Sequence, residues 1–328
     1  MINFDYIRPS SIKLAAEALN KDATSQMIAG GTNLVDLMKK GVTSPQKLID
    51  INNLPLKAID ENENKIRIGA LVLNSEVAEN ELIIKKLPLL SLALKAGASP
   101  QIRNMATVGG NMMQRTRCSY FYDTTMPCNK RNPGSGCGAL KGYNRMHAIF
   151  GTSDSCIAVH PSDMCVALSA LDAVVIVSSS KGSRRILFND FHRLPGTTPQ
   201  KDNTLQKGEI ITGIEVPDQS AFAENCHYTK IRDRASYAFA LVSVAAALDL
   251  DGTTIRQAKL AMGGVAHKPW RLTGAEKFLA GKTVSIANFQ LAAAIAMKEA
   301  KGFGHNNFKL KLAPNTIVHT LKTITGLS

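Results

Sequence analysis

No stretch of this 328-residue chain approaches the roughly 18 consecutive apolar residues that a membrane-spanning helix needs, so no membrane span is expected. Aromatic residues are few, at 5% of the chain with a single tryptophan. Acids are also scarce: 26 Asp and Glu stand against 39 Lys and Arg, a net charge of +13. That excess invites a nucleic-acid reading, but the cations are spread along the chain and little aromatic surface accompanies them, so nucleic acid is not expected as a partner. A basic surface facing acidic partner subunits or an anionic cofactor fits better. Met1 to Tyr6 form neither a basic segment nor an apolar leader core. The expectation is therefore a chain without its own export signal, folded in the cytoplasm and carried further only on a partner's twin-arginine signal. A disulfide framework is not expected from six cysteines in so long a chain. There is no Rossmann fingerprint, no P-loop, no C-x2-C zinc pair and no evident Ser/His/Asp or Cys/His nucleophile.

What is present is ordinary globular material, 45% hydrophobic and 20% charged, enough for two or three α/β units. Phe4 to Ile7, Gln26 to Ala29 and Lys47 to Ile51 read as strands, separated by helices running to Leu19 and from Leu34 to Lys40. This first unit closes near Leu54. A second opens with a strand at Lys65 to Ala70, followed by helices over Ser75 to Glu81 and Ile83 to Ala96. Pro161 to Leu171 reads as a helix, Ala173 to Val177 and Arg185 to Phe188 as a hairpin, and Glu209 to Val216 as a strand. Beyond a polar linker at Pro217 the pattern changes: an apolar run from Ala240 to Leu250 and two late helices, Ile286 to Lys301 and Lys311 to Thr325, suggest a separate C-terminal unit.

Two glycine turns carry the first chemical signal. In Met27-Ile28-Ala29-Gly30-Gly31-Thr32-Asn33-Leu34-Val35 a strand ends at paired glycines and feeds a helix. Such a turn offers unpaired amides at the positive end of the helix dipole and lets backbone approach a diphosphate; a plain tight turn is the competing reading. Thr107-Val108-Gly109-Gly110-Asn111 repeats the pattern, and two turns together can grip one extended dinucleotide. Asp163, at a helix start, can accept from ribose or ribityl hydroxyls, or simply stabilise that helix. Tyr237 is a candidate to stack on a flavin ring and Lys230 to meet its polar edge, against a solvated charged strand over Lys230 to Tyr237.

The second signal is a cysteine quartet, Cys118, Cys128, Cys137 and Cys156, spaced C-x9-C-x8-C-x18-C. Four thiolates suit an iron–sulfur cluster, and the proline- and glycine-rich stretch around them reads as an irregular loop able to wrap one. Six Lys and Arg against one acid between Met112 and His147 add cations that favour deprotonated sulfur. Structural zinc and unligated thiols are the alternatives. Cys165, in an apolar helical pattern, reads as a buried small hydrophobe, and His267 as structural or functional alike.

In order, the Ala29 to Leu34 turn, the Thr107 to Asn111 turn, the Asp163 helix and Gly263-Gly264-Val265-Ala266 resemble the FAD-binding medium subunit of the molybdenum hydroxylases, a group that includes xanthine dehydrogenase and carbon monoxide dehydrogenase. The resemblance spans essentially the whole chain. The cysteine loop, absent from most members, resembles that of the flavin subunit of bacterial periplasmic aldehyde oxidoreductase, where the corresponding cysteines hold a [4Fe–4S] cluster. The resemblance implies an α+β chain. A two-part FAD-binding domain of the vanillyl-alcohol-oxidase (PCMH) type would cover residues 1–220, with subdomains of about 1–54 and 55–220 and an iron–sulfur loop at 112–157. A CO-dehydrogenase-flavoprotein-like C-terminal α+β domain would cover 221–328. By the same resemblance, Met27 to Val35 would line the FAD diphosphate, and Thr107, Gly110, Asn111 and Asp163 would hold the cofactor. Ile211 and Lys230 would sit near the flavin, and the four cysteines would be the cluster ligands. It further implies a heterotrimer with a small [2Fe–2S] subunit and a large molybdopterin subunit. Substrate chemistry would lie on the large subunit, with electrons passing through FAD to ferredoxin, a quinone or oxygen. A flavin subunit of a 4-hydroxybenzoyl-CoA-reductase-like enzyme and a zinc-stabilised binding module are the other readings.

Overall fold

The computed structural model describes residues 1–327. Strand and helix alternate from the start: β1 (Asp5–Ile7), the Ile12–Lys21 helix, β2 (Ser25–Ile28), the Leu34–Lys39 helix and β3 (Lys47–Asp50). β3 lies between β1 and β2 and runs parallel to both, with Tyr6 opposite Leu48 and Met27 opposite Ile49. Parallel neighbours need a crossover, which the helices supply. Ser11 begins the first helix by accepting from the Leu14 amide at 3.2 Å. Ala15 and Ala16 on that helix bury against Ile49 and Leu54.

The second sheet is antiparallel and five-stranded. It contains β4 (Ile59–Asn62), β5 (Lys65–Gly69), β6 (Val174–Ser179), β7 (Gly182–Leu187) and β8 (Ile210–Pro217), in the order β4-β5-β8-β6-β7. β4 was not expected from the sequence. It pairs with β5 through a turn in which Glu63 and Asn64 both have positive φ, 47° and 59°. Three helices, Asn74–Glu79, Glu81–Lys86 and Pro88–Ala96, follow β5 where two longer ones were expected. Asn80 Oδ1 accepts from the Ile83 amide at 3.2 Å and starts a new helix, and Pro88 ends the next. Proline has no N–H to continue the ladder and pushes Leu87 out of helical geometry, to φ −131° and ψ 49°. The Pro88–Ala96 helix and the Asp163–Ala170 helix bury their apolar faces in this sheet's core.

The third sheet, β9 (Cys226–Ile231), β10 (Val242–Asp251), β11 (Thr254–Gly263) and β12 (Trp270–Arg271), is antiparallel in the order β9-β10-β11-β12. β10 explains its own unbroken apolar sequence. Ala245 and Ala247 face the core shared with the Asp163–Ala170 helix, while Val244, Ala246 and Leu248 face the helices Thr273–Leu279, Ile286–Ala296 and Lys309–Thr325. A strand covered on both faces has no polar side, and the alanines allow the helix a close approach. The five-stranded sheet thus shares its core with one face of the C-terminal sheet, while the parallel unit keeps a core of its own. Among the described residues no helix is long and apolar enough to cross a membrane.

Between the Val108–Met112 helix and the Asp163–Ala170 helix the chain is mostly irregular, as expected. Its regular features are a short helix, Ser119–Tyr122, and two isolated bridges, Cys128 with Cys137 and Ser153 with Cys156.

Candidate functional site

A cleft of about 1200 Å³ lies where the three sheets' loops meet. All the cofactor-binding candidates line it except Gly30 and Val35, which lie just behind its wall. Gly30 sits where a Cβ would come within 1.7 Å of the Met105 carbonyl oxygen, so only glycine lets this turn lie on the backbone of the next segment. Gly31 adopts φ 71°. The amides of Gly30, Gly31, Thr32 and Asn33 donate to no acceptor among the described residues. The Leu34–Lys39 helix follows directly, so the free amides of Gly31, Thr32 and Asn33 and a helix start face the cleft together, a fitting cradle for a diphosphate.

The second turn differs from expectation. Thr107 caps a helical turn: its hydroxyl accepts from the Gly110 amide at 3.2 Å and its carbonyl from the Asn111 amide at 2.8 Å. The amides of Val108 and Gly109 donate to Val72 and Ala70 carbonyls at 3.0 and 2.8 Å. With its amides consumed, this turn is not a second open nest; it presents Thr107, Gly110 and Asn111 as cleft surface. Gly109 packs on Ala70, where a Cβ would meet its carbonyl oxygen at 3.1 Å.

Asp163 and Lys230 meet each other. Lys230 Nζ donates to Asp163 Oδ2 at 2.8 Å and to the Ala96 carbonyl at 3.1 Å, and both side chains are buried. The Tyr228 hydroxyl, which the sequence reading missed, donates to Asp163 Oδ1 at 2.7 Å. Burial, then the Asp163 charge, pushes the Tyr228 phenol well above its ordinary pKa, so it stays a neutral donor. Ile211 forms buried wall on β8, while Tyr237 stands at the mouth, 59% exposed with φ 50°. Asn74 is a further missed lining residue; its Oδ1 is buried without a partner.

The four loop cysteines wall a second, closed pocket together with His147 and Lys130. Cys128 and Cys156 are buried, Cys118 and Cys137 partly so. Burial pushes the Cys118 thiol up to about 12, while a hydrogen bond shared with Cys156 holds Cys137 down to about 6. Two histidines approach these sulfurs: His147, from within the loop, places Nε2 3.1 Å from Cys118 Sγ, and His267, from the turn after β11, places Nε2 3.3 Å from Cys156 Sγ. The expected belt of cations is not there. Of the six, Lys130 alone lines the pocket, and it is paired with Asp202. Arg115 also bonds Asp202, Arg131 bonds the Tyr120 and Phe121 carbonyls, and Arg145 bonds Asp233.

Among the described residues, the His, Cys and acidic ligand atoms within 4.8 Å of one another belong to His160, Cys165 and His192, not to the quartet. A tetrahedral zinc site would bring its sulfurs to about 3.8 Å of each other. The quartet's sulfurs are thus not gathered about a single point, and the pocket they wall is small, about 10 Å³. Cys165 is fully buried, as expected of a small hydrophobe.

The comparisons agree with this geometry. Residues 2–219 match the model of the FAD binding domain in molybdopterin dehydrogenase, and residues 227–324 that of the CO dehydrogenase flavoprotein C-terminal domain. The chain is similar to the aldehyde oxidoreductase FAD-binding subunit PaoB of Escherichia coli K12, 46% identical over 97% of both chains. It is 32% identical to the glyceraldehyde dehydrogenase medium chain of Sulfolobus acidocaldarius, over 86% of this chain and 83% of that one. Among solved structures, carbon monoxide dehydrogenase from Hydrogenophaga pseudoflava superposes with a TM-score of 0.78 at 24% identity, covering 100% of this chain and 99% of that one, a likeness of fold. The resemblance read from the two turns and the Asp163 helix is thereby borne out: the chain belongs to the FAD-binding medium subunits of the molybdenum hydroxylase family, and so is a subunit of an oxidoreductase.

Proposed function

We propose that this chain is the FAD- and [4Fe–4S]-carrying electron-transfer subunit of a molybdenum-dependent aldehyde oxidoreductase, working beside a small [2Fe–2S] subunit and a large molybdopterin subunit. The observation that carries the reading is the pair of neighbouring sites: a long cleft with an open amide cradle, and a closed pocket walled by four cysteines. The aldehyde assignment is supported by the relative at 46% identity whose name states that activity. Bound there, the flavin and the cluster would supply the electron-accepting and electron-relaying chemistry, which belongs to the cofactors themselves.

The chain's own residues bind and orient. The free amides of Gly31 to Asn33 would hold the diphosphate, with Gly30 letting the turn lie close on the Met105 backbone, and Thr107, Gly110 and Asn111 would bear on the cofactor from the facing wall. Asp163, fixed by Tyr228 and Lys230, retains lone pairs for a sugar or ribityl hydroxyl. Ile211 excludes water from the inner wall, and Tyr237 would cover the mouth. Cys118, Cys128, Cys137 and Cys156 would ligate the cluster.

Anaerobic purification of the assembled complex tests the proposal. Flavin bands, iron and acid-labile sulfide in the ratio of a cubane, and two co-purifying partners are expected. Cys128→Ser should remove the cluster's signal while leaving flavin bound. One zinc without iron would select a binding module instead.

A further inference from the structure

His147 Nε2 is 3.1 Å from Cys118 Sγ and His267 Nε2 is 3.3 Å from Cys156 Sγ, while Nδ1 of each ring is buried and meets no protein partner. A neutral imidazole carries its one proton on either nitrogen. On Nδ1 it would be a buried donor with nothing to accept it, a state that costs about 1–3 kcal/mol. On Nε2 it points at sulfur. The neutral tautomer that strands no buried donor therefore directs its N–H to the sulfur.

Both rings are fixed from behind by backbone. The His147 carbonyl accepts from Lys309 Nζ at 3.0 Å and from Asn306 Nδ2 at 3.3 Å. His267 follows Ala266, whose carbonyl accepts from the His160 amide at 2.9 Å. One histidine comes from the cysteine loop and the other from the turn after β11, so the two approach different sulfurs from different parts of the chain.

We infer that His147 and His267 are positioning residues that donate N–H···S hydrogen bonds to Cys118 and Cys156 and thereby raise the reduction potential of the cluster those cysteines hold. The inference rests on the [4Fe–4S] reading above. Reduction adds negative charge that spreads onto the ligating sulfurs, and a donor aimed at sulfur stabilises the reduced form more than the oxidised one. Among the described residues no imidazole bonds the sulfurs of Cys128 and Cys137.

The test uses the assembled holoenzyme and reads the cluster's potential by EPR-monitored titration. His147→Leu and His267→Leu should each keep the iron content and lower the potential, by roughly a tenfold change in the one-electron equilibrium constant, or about 59 mV. His147→Gln and His267→Gln, which keep an N–H, should recover part of that loss. An unchanged potential in iron-replete Leu variants overturns the inference. If the Leu variants do not fold or load iron, the unmodified enzyme labelled with heavy-nitrogen histidine decides. Its reduced cluster should show weak hyperfine coupling to two histidine nitrogens. No coupling overturns the inference, and so does a coupling as strong as direct ligation. Absence of iron from the unmodified enzyme sinks the cluster reading itself, which is a separate failure.

Discussion

At the scale of single residues, Gly30 and Lys309 make the sharpest demands. A methyl group at Gly30 would overlap the Met105 carbonyl, and backbone cannot swing aside as a long side chain can. Gly30→Ala should therefore displace the turn, costing about 1–3 kcal/mol and most of the bound flavin, measurable by thermal unfolding and flavin content. Lys309 is wholly buried, with its ammonium bonded to the His147 and Gly264 carbonyls. Burial, helped by Arg145, brings its pKa down to about 7, against about 10.4 in an unfolded chain. The unfolded chain thus holds more protons between those values, so the contribution of Lys309 to stability rises from pH 7 toward pH 10. Below pH 7 the full penalty is present. The slope approaches at most about 1.4 kcal/mol per pH unit and should vanish in Lys309→Met, a difference that melting at pH 7 and pH 9 would read.

Among elements, the link between the cysteine loop and the segment after His192 stands out. Lys130 is buried and bonds both the Pro199 carbonyl, at 2.8 Å, and Asp202, which also receives Arg115 at 2.8 Å. Although burial favours the neutral acid, the Lys130 and Arg115 cations hold the Asp202 carboxyl down at about 2. Asp202→Asn would leave Lys130 buried without its counter-charge, a loss of about 3–5 kcal/mol. Proteolytic cutting within residues 112–157 is the expected result, and on the proposed function faster loss of the cluster's iron with it. Elements also show what could be read beforehand. The parallel unit was legible because its apolar runs, the Ser11 cap and the glycine stops all agree. β4 was not, since Ile59–Asn62 carries three polar residues in four and its turn has no glycine. The second glycine turn misled because sequence shows the glycines but not the Val72 and Ala70 carbonyls that take up its amides. His147 and His267 were invisible as a pair because 120 positions separate them and only the tertiary fold brings both to sulfur.

For the molecule as a whole, the Asp163–Lys230–Tyr228 group spans the flavin-side helix and the C-terminal sheet. Asp163→Asn keeps the shape but strands the Lys230 charge. A drop of about 3–5 kcal/mol is expected, together with flavin loss. The double variant Asp163→Asn/Lys230→Met, which removes both charges, should fall less far in stability than Asp163→Asn alone, and a melting comparison of the two separates pairing from packing. The cysteine loop is likewise held by residues beyond it. Asn144 donates to the Phe303 carbonyl at 2.8 Å, the Ile149 and Phe150 amides to Val265, and His267 reaches Cys156.

That last set of contacts has a bearing on biosynthesis. The thiols and the walls of their pocket all lie within residues 116–158, but the His267 ring that reaches Cys156 leaves the ribosome more than a hundred residues later, so a nascent polypeptide that ends near residue 225 lacks that contact. The loop's final docking therefore waits for the turn after β11, which supplies both the Val265 carbonyl and the His267 ring.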